Sequence, residues 1–545
     1  MRITRLELTN FRSFKDTQSI DIAPVTLLFG PNSVGKSSVL MALAYVHQVL
    51  EKGHCDPQKL DALGNKTIGG FRSLVHGGDL NSTIRIKLDF ELGQTVYRED
   101  DEDYDYLADA FNAEKLDLED FGGSVDRFAF ELEIAWAQEF EWAFVQNYRV
   151  WVNNRYVGCV VSSEDLKNTR ISELNLVHPL LLNETERAQL QTTPEDWDLD
   201  TAPEDHGLRH TQLQLTLDGV VPGSRFMEDI IPSLEEVVLY QRDIGVGCQW
   251  GGIPTGGERL RTNLNHSDLE PNQQHLDYLM VSSLLTSVFL EPVNLARQFL
   301  RTYIAIGPMR VIPDFDYIPD PNPAQSAWAD GRAAWDVLHK NPDTSDATKI
   351  LIKQCNQWLS DSDKLDTGYE LKNWSLFEAM KGNNSYDDSH YLIRKRHMLF
   401  IEKGKDYPLA ASQLGTGISQ VLPVLVAAHQ EKLQLISVEQ PELHLHPSFQ
   451  VELGDLFLSC SKDRSFLIET HSEHLVLRMQ KRMRQRVDQE LPEGHVGLTR
   501  DDISVVSFER TESCVVARKM ELDDDGEFLS PWPGGFFVER RKEMM

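Results

Sequence analysis

Apolar and polar positions alternate at the start of the chain, through Ile3, Leu6, Leu8 and Phe11, and give way to an unbroken apolar run, Val25–Phe29, that stops at Gly30. Alternation of period two marks a strand with one buried face, and a short apolar run closed by glycine marks a strand buried on both. The spacing then becomes helical, with Val39, Leu40, Leu43, Val46 and Leu50 on one face. The segment reads strand, glycine-bearing loop, helix. Ile84–Phe90, Phe128–Ile134 and Tyr148–Val152 alternate again and predict strands, the later ones set among loops rich in Pro, Asn and Asp. From Tyr303 the pattern returns to compact αβ material, with strand-like runs Leu435–Val438, Ser465–Ile468 and Ile503–Phe508 separated by helical segments. No apolar heptad is sustained and no repeat of fixed period occurs, which disfavours a coiled-coil arm.

Composition changes this picture little. With 545 residues, 41% of them hydrophobic and 26% charged, the chain has the makeup of a folded globular protein with a large core. The N-terminus lacks the apolar core of a signal peptide, no run approaches the ~20 apolar residues of a membrane span, and the six cysteines stand singly, so a cytoplasmic location is expected. The net charge of −31 opposes nucleic acid on average, so contact with DNA or RNA would need a local basic patch. One such patch is the predicted helix carrying Arg478, Lys481, Arg482, Arg484 and Arg486. A solvated helix face explains it about as well. The acidic run Glu99–Asp105 reads as a solvated loop.

Candidate chemistry concentrates at the predicted strand ends. Gly30, Pro31, Asn32, Ser33, Val34, Gly35, Lys36 and Ser37, followed by Ser38, satisfy G-x-x-x-x-G-K-[ST] between a strand and a helix. In such a loop backbone N–H groups cradle phosphates, Lys36 reaches the β- and γ-phosphates of ATP, and the Ser37 hydroxyl ligates Mg²⁺. Glu439, closing Leu435–Val438, is the expected second metal ligand, with Gln440 and Glu442 where the water-activating residue belongs. Gly415, Thr416, Gly417 and Ser419 lie at the start of an apolar helix, a natural anion site. His471, just beyond Phe466–Glu469, is placed to reach a γ-phosphate.

Together Gly30–Ser37, Leu414–Gln420, Val438–Pro447 and Glu469–Ser472 resemble the Walker A, signature, Walker B with D-loop, and switch-histidine motifs of ABC ATPases, most closely the RecF/OLD branch. Leu74–Asp79, Ile306–Arg310 and Trp532–Phe537 are similar to segments of a bacterial subgroup with an uncharacterised C-terminal domain. The resemblance covers residues 1–90 and 300–545. It departs in two places. Gln440 stands where most such heads carry a catalytic Glu, so slow hydrolysis, or hydrolysis carried by Glu442 or His471, is expected, and Gly415 stands where the signature serine is usual, leaving Thr416 or Ser419 as the hydroxyl.

The resemblance implies an α/β fold, an ABC-type P-loop ATPase head split by a globular α+β insertion: residues 1–95 with Walker A, 96–300 as the insertion, 301–545 with the remaining motifs and a C-terminal tail. It also implies a head-to-tail homodimer formed on ATP. Antiviral ATPases of the OLD, Septu and retron-associated kinds share this layout and act through a separate effector such as an HNH nuclease. The stretch after His471 is shorter than the ~100 residues of an independent nuclease module. A DNA-repair or DNA-end-binding ATPase of the RecF/SMC kind, acting directly on DNA, is the alternative.

Overall fold

The computed structural model describes residues 1–32, 34–64, 66–93, 125–181, 217, 239–240, 243–248, 251–254, 257, 259–264, 281–340, 345–380, 391–405, 407–511 and 514–532. Ser33, the acidic run Glu99–Asp105 and the segment Pro533–Phe537 lie outside them. Two compact units form, one from Met1–Ser19, Val46–Pro57 and Gly69–Phe299, the other from Ile20–Tyr45, Gln58–Ile68 and Leu300–Met545.

The first unit is organised by an antiparallel sheet in which Arg2–Thr9, Ile84–Glu91, Arg127–Ala137, Trp142–Val152, Arg155–Ser162 and Thr169–Asn175 are successive neighbours. Alternation sets its faces: Ile84, Ile86, Leu88 and Phe90 are buried, and Phe90 stacks on Phe128 at 4.7 Å. Asn153 and Asn154, both at positive φ, make the tight turn between two of its strands. Ile84–Glu91 pairs with Arg2–Thr9 on one side and, from Ile84↔Ile134 to Glu91↔Arg127, with Arg127–Ala137 on the other, so continuous ladder hydrogen bonding joins strands distant in sequence.

His178 is buried in this unit. Its Nε2 donates to the Val152 carbonyl at 3.2 Å and its Nδ1 accepts from the Leu180 N–H at 3.2 Å, a pattern only neutral imidazole satisfies. Burial pulls its pKa from 6.5 down to about 4. Between those values the unfolded chain holds a proton the folded chain refuses, so stability is intact above the upper value and is lost as pH falls toward the lower. On acidification from about pH 7 to about pH 5 the wild type is expected to lose ~2 kcal/mol more than His178→Gln, which keeps a donor and an acceptor. Urea unfolding at the two pH values measures this, and equal losses would remove the assignment.

The second unit has a sheet in the order Tyr303–Ile306, Leu435–Glu439, Ser465–Glu469, Val25–Phe29, Ile503–Arg510, Val515–Lys519, parallel except for the last strand. Parallel neighbours need crossovers, and helices Pro447–Cys460 and Glu473–Val487 supply them on either side of Ser465–Glu469 in the sequence. The strands are dominated by apolar residues because both faces are covered. Val25, Leu27, Phe29, Ile304, Ile436, Val438, Phe466 and Ile468 join one buried cluster with Leu422, Leu425, Leu456 and Met479 from the helices. Parallel alignment brings Phe29, Glu439 and Glu469 to the same edge, the carboxyl ends of their strands, where α/β sheets bind ligands. Among the described residues the longest helix is Lys36–Lys52, with 17 residues, and no helix is long and apolar enough to cross a membrane.

Candidate nucleotide site

The glycine-bearing loop leaves strand Val25–Phe29 and runs into helix Lys36–Lys52. Gly30 has φ 144°, and a Cβ there would lie 2.7 Å from the carbonyl oxygen of Phe508 on the next strand, so no side chain fits. Gly35, at φ 107°, turns the chain into the helix, and its carbonyl accepts from the N–H of Ser38 at 2.9 Å. Pro31 and Asn32 are exposed and Val34 is buried. The Lys36 side chain is only 2% exposed, folding back to donate to the carbonyls of Gly30 at 2.8 Å and Pro31 at 2.9 Å. Its Nζ lies 3.7 Å from Glu469 Oε1 and 3.5 Å from His471 Nε2. Burial lowers its pKa, and Glu469 and Glu442 oppose the shift.

The carboxylate that meets the Ser37 hydroxyl is Glu469, which accepts from Ser37 Oγ at 2.8 Å. Glu439 is its register partner one strand farther from the loop. Burial first, and then the charge of Glu469, raise the Glu439 pKa, with Lys66 and Arg310 opposing. Two carboxyl groups side by side at buried strand ends favour a bound cation. Glu469, like Glu439, closes an apolar run, the one signal in the sequence that marks it.

The turn beyond Glu439 is held from below. Gln440 has φ 46° and donates its N–H to the Glu469 carbonyl at 2.7 Å. Glu442 accepts from Thr470 Oγ1 and from the His471 N–H, each at 2.8 Å, so both its oxygens orient the His471 turn. Burial and the nearby Lys36 lower the His471 pKa, which keeps the ring neutral at neutral pH.

At the start of helix Thr416–His429, Gly415 and Thr416 are exposed. A Cβ on Gly417 would approach the His444 carbonyl to 2.9 Å, so glycine permits close passage of the turn after Glu439. Ser419 corrects the expectation of a ligand hydroxyl. It is fully buried, and its Oγ donates inward to the Ala411 carbonyl at 2.8 Å.

The basic helix needs a similar correction. Arg482, 2% exposed, donates to both oxygens of Asp455 at 2.8 and 2.6 Å, and Arg478 spans Asp455 and Glu452 at 2.6 Å each. Both guanidinium groups are turned into the fold. Lys481, Arg484 and Arg486 are exposed, Arg484 pairing with Glu527 at 2.7 Å.

Among the described residues no three His, Cys, Asp or Glu side chains form a metal-ligating group. That donor set fits magnesium with nucleotide. Mg²⁺ takes one or two protein oxygens and completes its octahedron with phosphate oxygens and water, and Ser37 with the Glu469/Glu439 pair supplies such oxygens at a helix start. The fold and site thus set a phosphate-loop sequence pattern at the carboxyl edge of a parallel α/β sheet.

Residues 1–169 match the family model "AAA ATPase domain", and residues 362–478 match "AAA domain, putative AbiEii toxin, Type IV TA system". Among solved structures the chain is similar to the SMC head domain from Thermotoga maritima, with 9% identity, 96% of this chain and 100% of that chain covered, and a TM-score of 0.36. It is also similar to the Smc head with an extended coiled coil bound to the C-terminal domain of ScpA derived from Pyrococcus furiosus, with 11% identity, coverage of 99% and 98%, and a TM-score of 0.36. At that distance the fold assignment rests on strand order and motif placement. A search of curated proteins finds no match.

Proposed function

We propose that this chain binds and hydrolyses ATP with Mg²⁺ at Gly30–Ser37, pairs head to tail with a second copy when ATP is bound, and so controls a separate effector, a nuclease, in antiviral defence. The observation that carries the nucleotide reading is the convergence of Lys36, Ser37, Glu469 and His471 around one helix start. Lys36 and the loop N–H groups bind the triphosphate, Ser37 with Glu439 and Glu469 holds the metal, and neutral His471, fixed by Glu442, faces the terminal phosphate. Magnesium, when bound, neutralises charge on the β- and γ-phosphates. Gln440 cannot take a proton and both oxygens of Glu442 are bonded to Thr470 and His471, so water activation falls to His471 and turnover is slow.

Pairing is supported by the exposed Gly415–Thr416 helix start, whose free N–H groups suit a phosphate brought by a second copy. The link to defence rests on the resemblance of the motifs to the RecF/OLD branch. Direct DNA binding is weakened by the inward commitment of Arg478 and Arg482.

Sedimentation of the full chain with Mg²⁺ and a non-hydrolysable ATP analogue tests the pairing. We expect a shift from monomer to dimer that Thr416→Arg abolishes while analogue binding stays within about twofold. A wild-type chain saturated with analogue yet monomeric would refute the dimer.

A further inference from the structure

Arg310 lies in the second unit, a few residues past strand Tyr303–Ile306, and is 5% exposed. Its guanidinium donates to main-chain carbonyls from two elements. Nη1 reaches the Gln420 carbonyl, in the first turns of helix Thr416–His429, at 3.1 Å, and Nη2 reaches the carbonyls of Glu439 at 2.9 Å and Gln440 at 3.4 Å. In return Gln420 Nε2 donates to the Arg310 carbonyl at 2.7 Å. One planar fork therefore joins the helix that begins at Gly415–Thr416 to the turn that carries Glu439 and Gln440.

Two features set this contact apart from an ordinary core brace. The cation is buried, and Glu439 and Glu442 are the carboxylates whose charges favour it, so its charge is balanced by the groups of the nucleotide site. In addition, among the described residues Arg310 Nε and Gln420 Oε1 are both buried without a hydrogen-bond partner. They are a complementary donor and acceptor on residues already joined through each other's main-chain carbonyls. Buried polar atoms left over inside such a linkage call for an account beyond static bracing.

We propose that Arg310 is a positioning residue that couples engagement of the Gly415–Thr416 helix start to the placement of Glu439 and Gln440, so that ATP turnover depends on what that helix start has bound. This rests on the reading of the chain as an ATPase. Lys36 and Ser37 make none of these contacts, so nucleotide binding and coupling are separable.

The test compares wild type, Arg310→Met, Arg310→Lys and Gln420→Leu for ATP affinity, kcat, KM, ATP-dependent association and thermal unfolding. We expect Arg310→Met to bind ATP within about twofold of wild type with KM little changed, to lose at least about tenfold in kcat, and to lose ATP-dependent association. Arg310→Lys, which keeps the charge but reaches fewer carbonyls, should recover part of the loss. Gln420→Leu removes the return bond from the helix side chain to the Arg310 carbonyl while the main-chain carbonyl of residue 420 still accepts from the guanidinium, and it should lower kcat in the same direction by a smaller factor. Wild-type kcat and association in a folded Arg310→Met overturn the coupling. So does a loss confined to unfolding temperature or to ATP affinity, and so does failure of both Arg310→Met and Gln420→Leu to fold, since each marks a structural role. A wild-type chain that binds ATP without turning it over defeats the ATPase reading alone, because ATP-dependent association still reports whether Arg310→Met is uncoupled.

Discussion

Lys36→Ala is expected to remove ATP binding, with affinity for a fluorescent ATP analogue in a direct titration falling by at least about a hundredfold. Two losses combine. The ammonium that would face the β- and γ-phosphates disappears, and so do its bonds to the carbonyls of Gly30 and Pro31, which tie the loop around the side chain. Glu469, 3.7 Å from Nζ and bonded to Ser37, would then face an incoming phosphate without its nearest cation, turning attraction into repulsion. Global stability should change far less, because the strand and helix flanking the loop are held by apolar burial of Leu27, Leu28, Phe29, Val39 and Leu40. A folded Lys36→Ala protein that retains wild-type affinity would remove the nucleotide assignment at its root.

That site was legible in part, and the division follows from what is local. A phosphate loop is a contiguous pattern whose glycines and lysine act within a few residues of one another, so Gly30–Ser37 is readable from spacing alone. Which carboxylate meets Ser37 is a matter of strand order. Ser465–Glu469 lies between Val25–Phe29 and Leu435–Glu439, and periodicity within a strand carries no record of its neighbour. Arg310 is unmarked in the sequence outside the resemblance, since a buried arginine bonded to main-chain carbonyls leaves no sequence signal. Ser419 illustrates the limit on helices: a small polar residue near a helix start is compatible with display or burial, and packing of Thr416–His429 decided for burial. Ile84–Glu91 and Arg127–Ala137 are likewise adjacent in space and distant in sequence, a pairing that no local pattern records.

Asp455→Ala is expected to destabilise the second unit by about 3–5 kcal/mol, read by urea unfolding. Asp455 accepts from Arg482 through both oxygens and from Arg478 through one, and His495 Nε2 lies 3.7 Å away. Removing the carboxylate leaves the Arg482 cation buried, its remaining side-chain contact being Gln485 at 2.7 Å, whereas Arg478 keeps Glu452. The cost is the desolvation of a stranded charge, not the worth of one salt bridge, so Arg482→Met combined with Asp455→Leu should restore most of the loss by replacing the pair with apolar volume. The double variant also bears on the basic helix. Were Arg482 held for nucleic acid, removing it would lower affinity for DNA or RNA. A residue committed to Asp455 inside the fold predicts no change in that affinity, with the whole effect in stability, and a loss of binding in the stable double variant would return Arg482 to the surface chemistry that its sequence pattern first suggested.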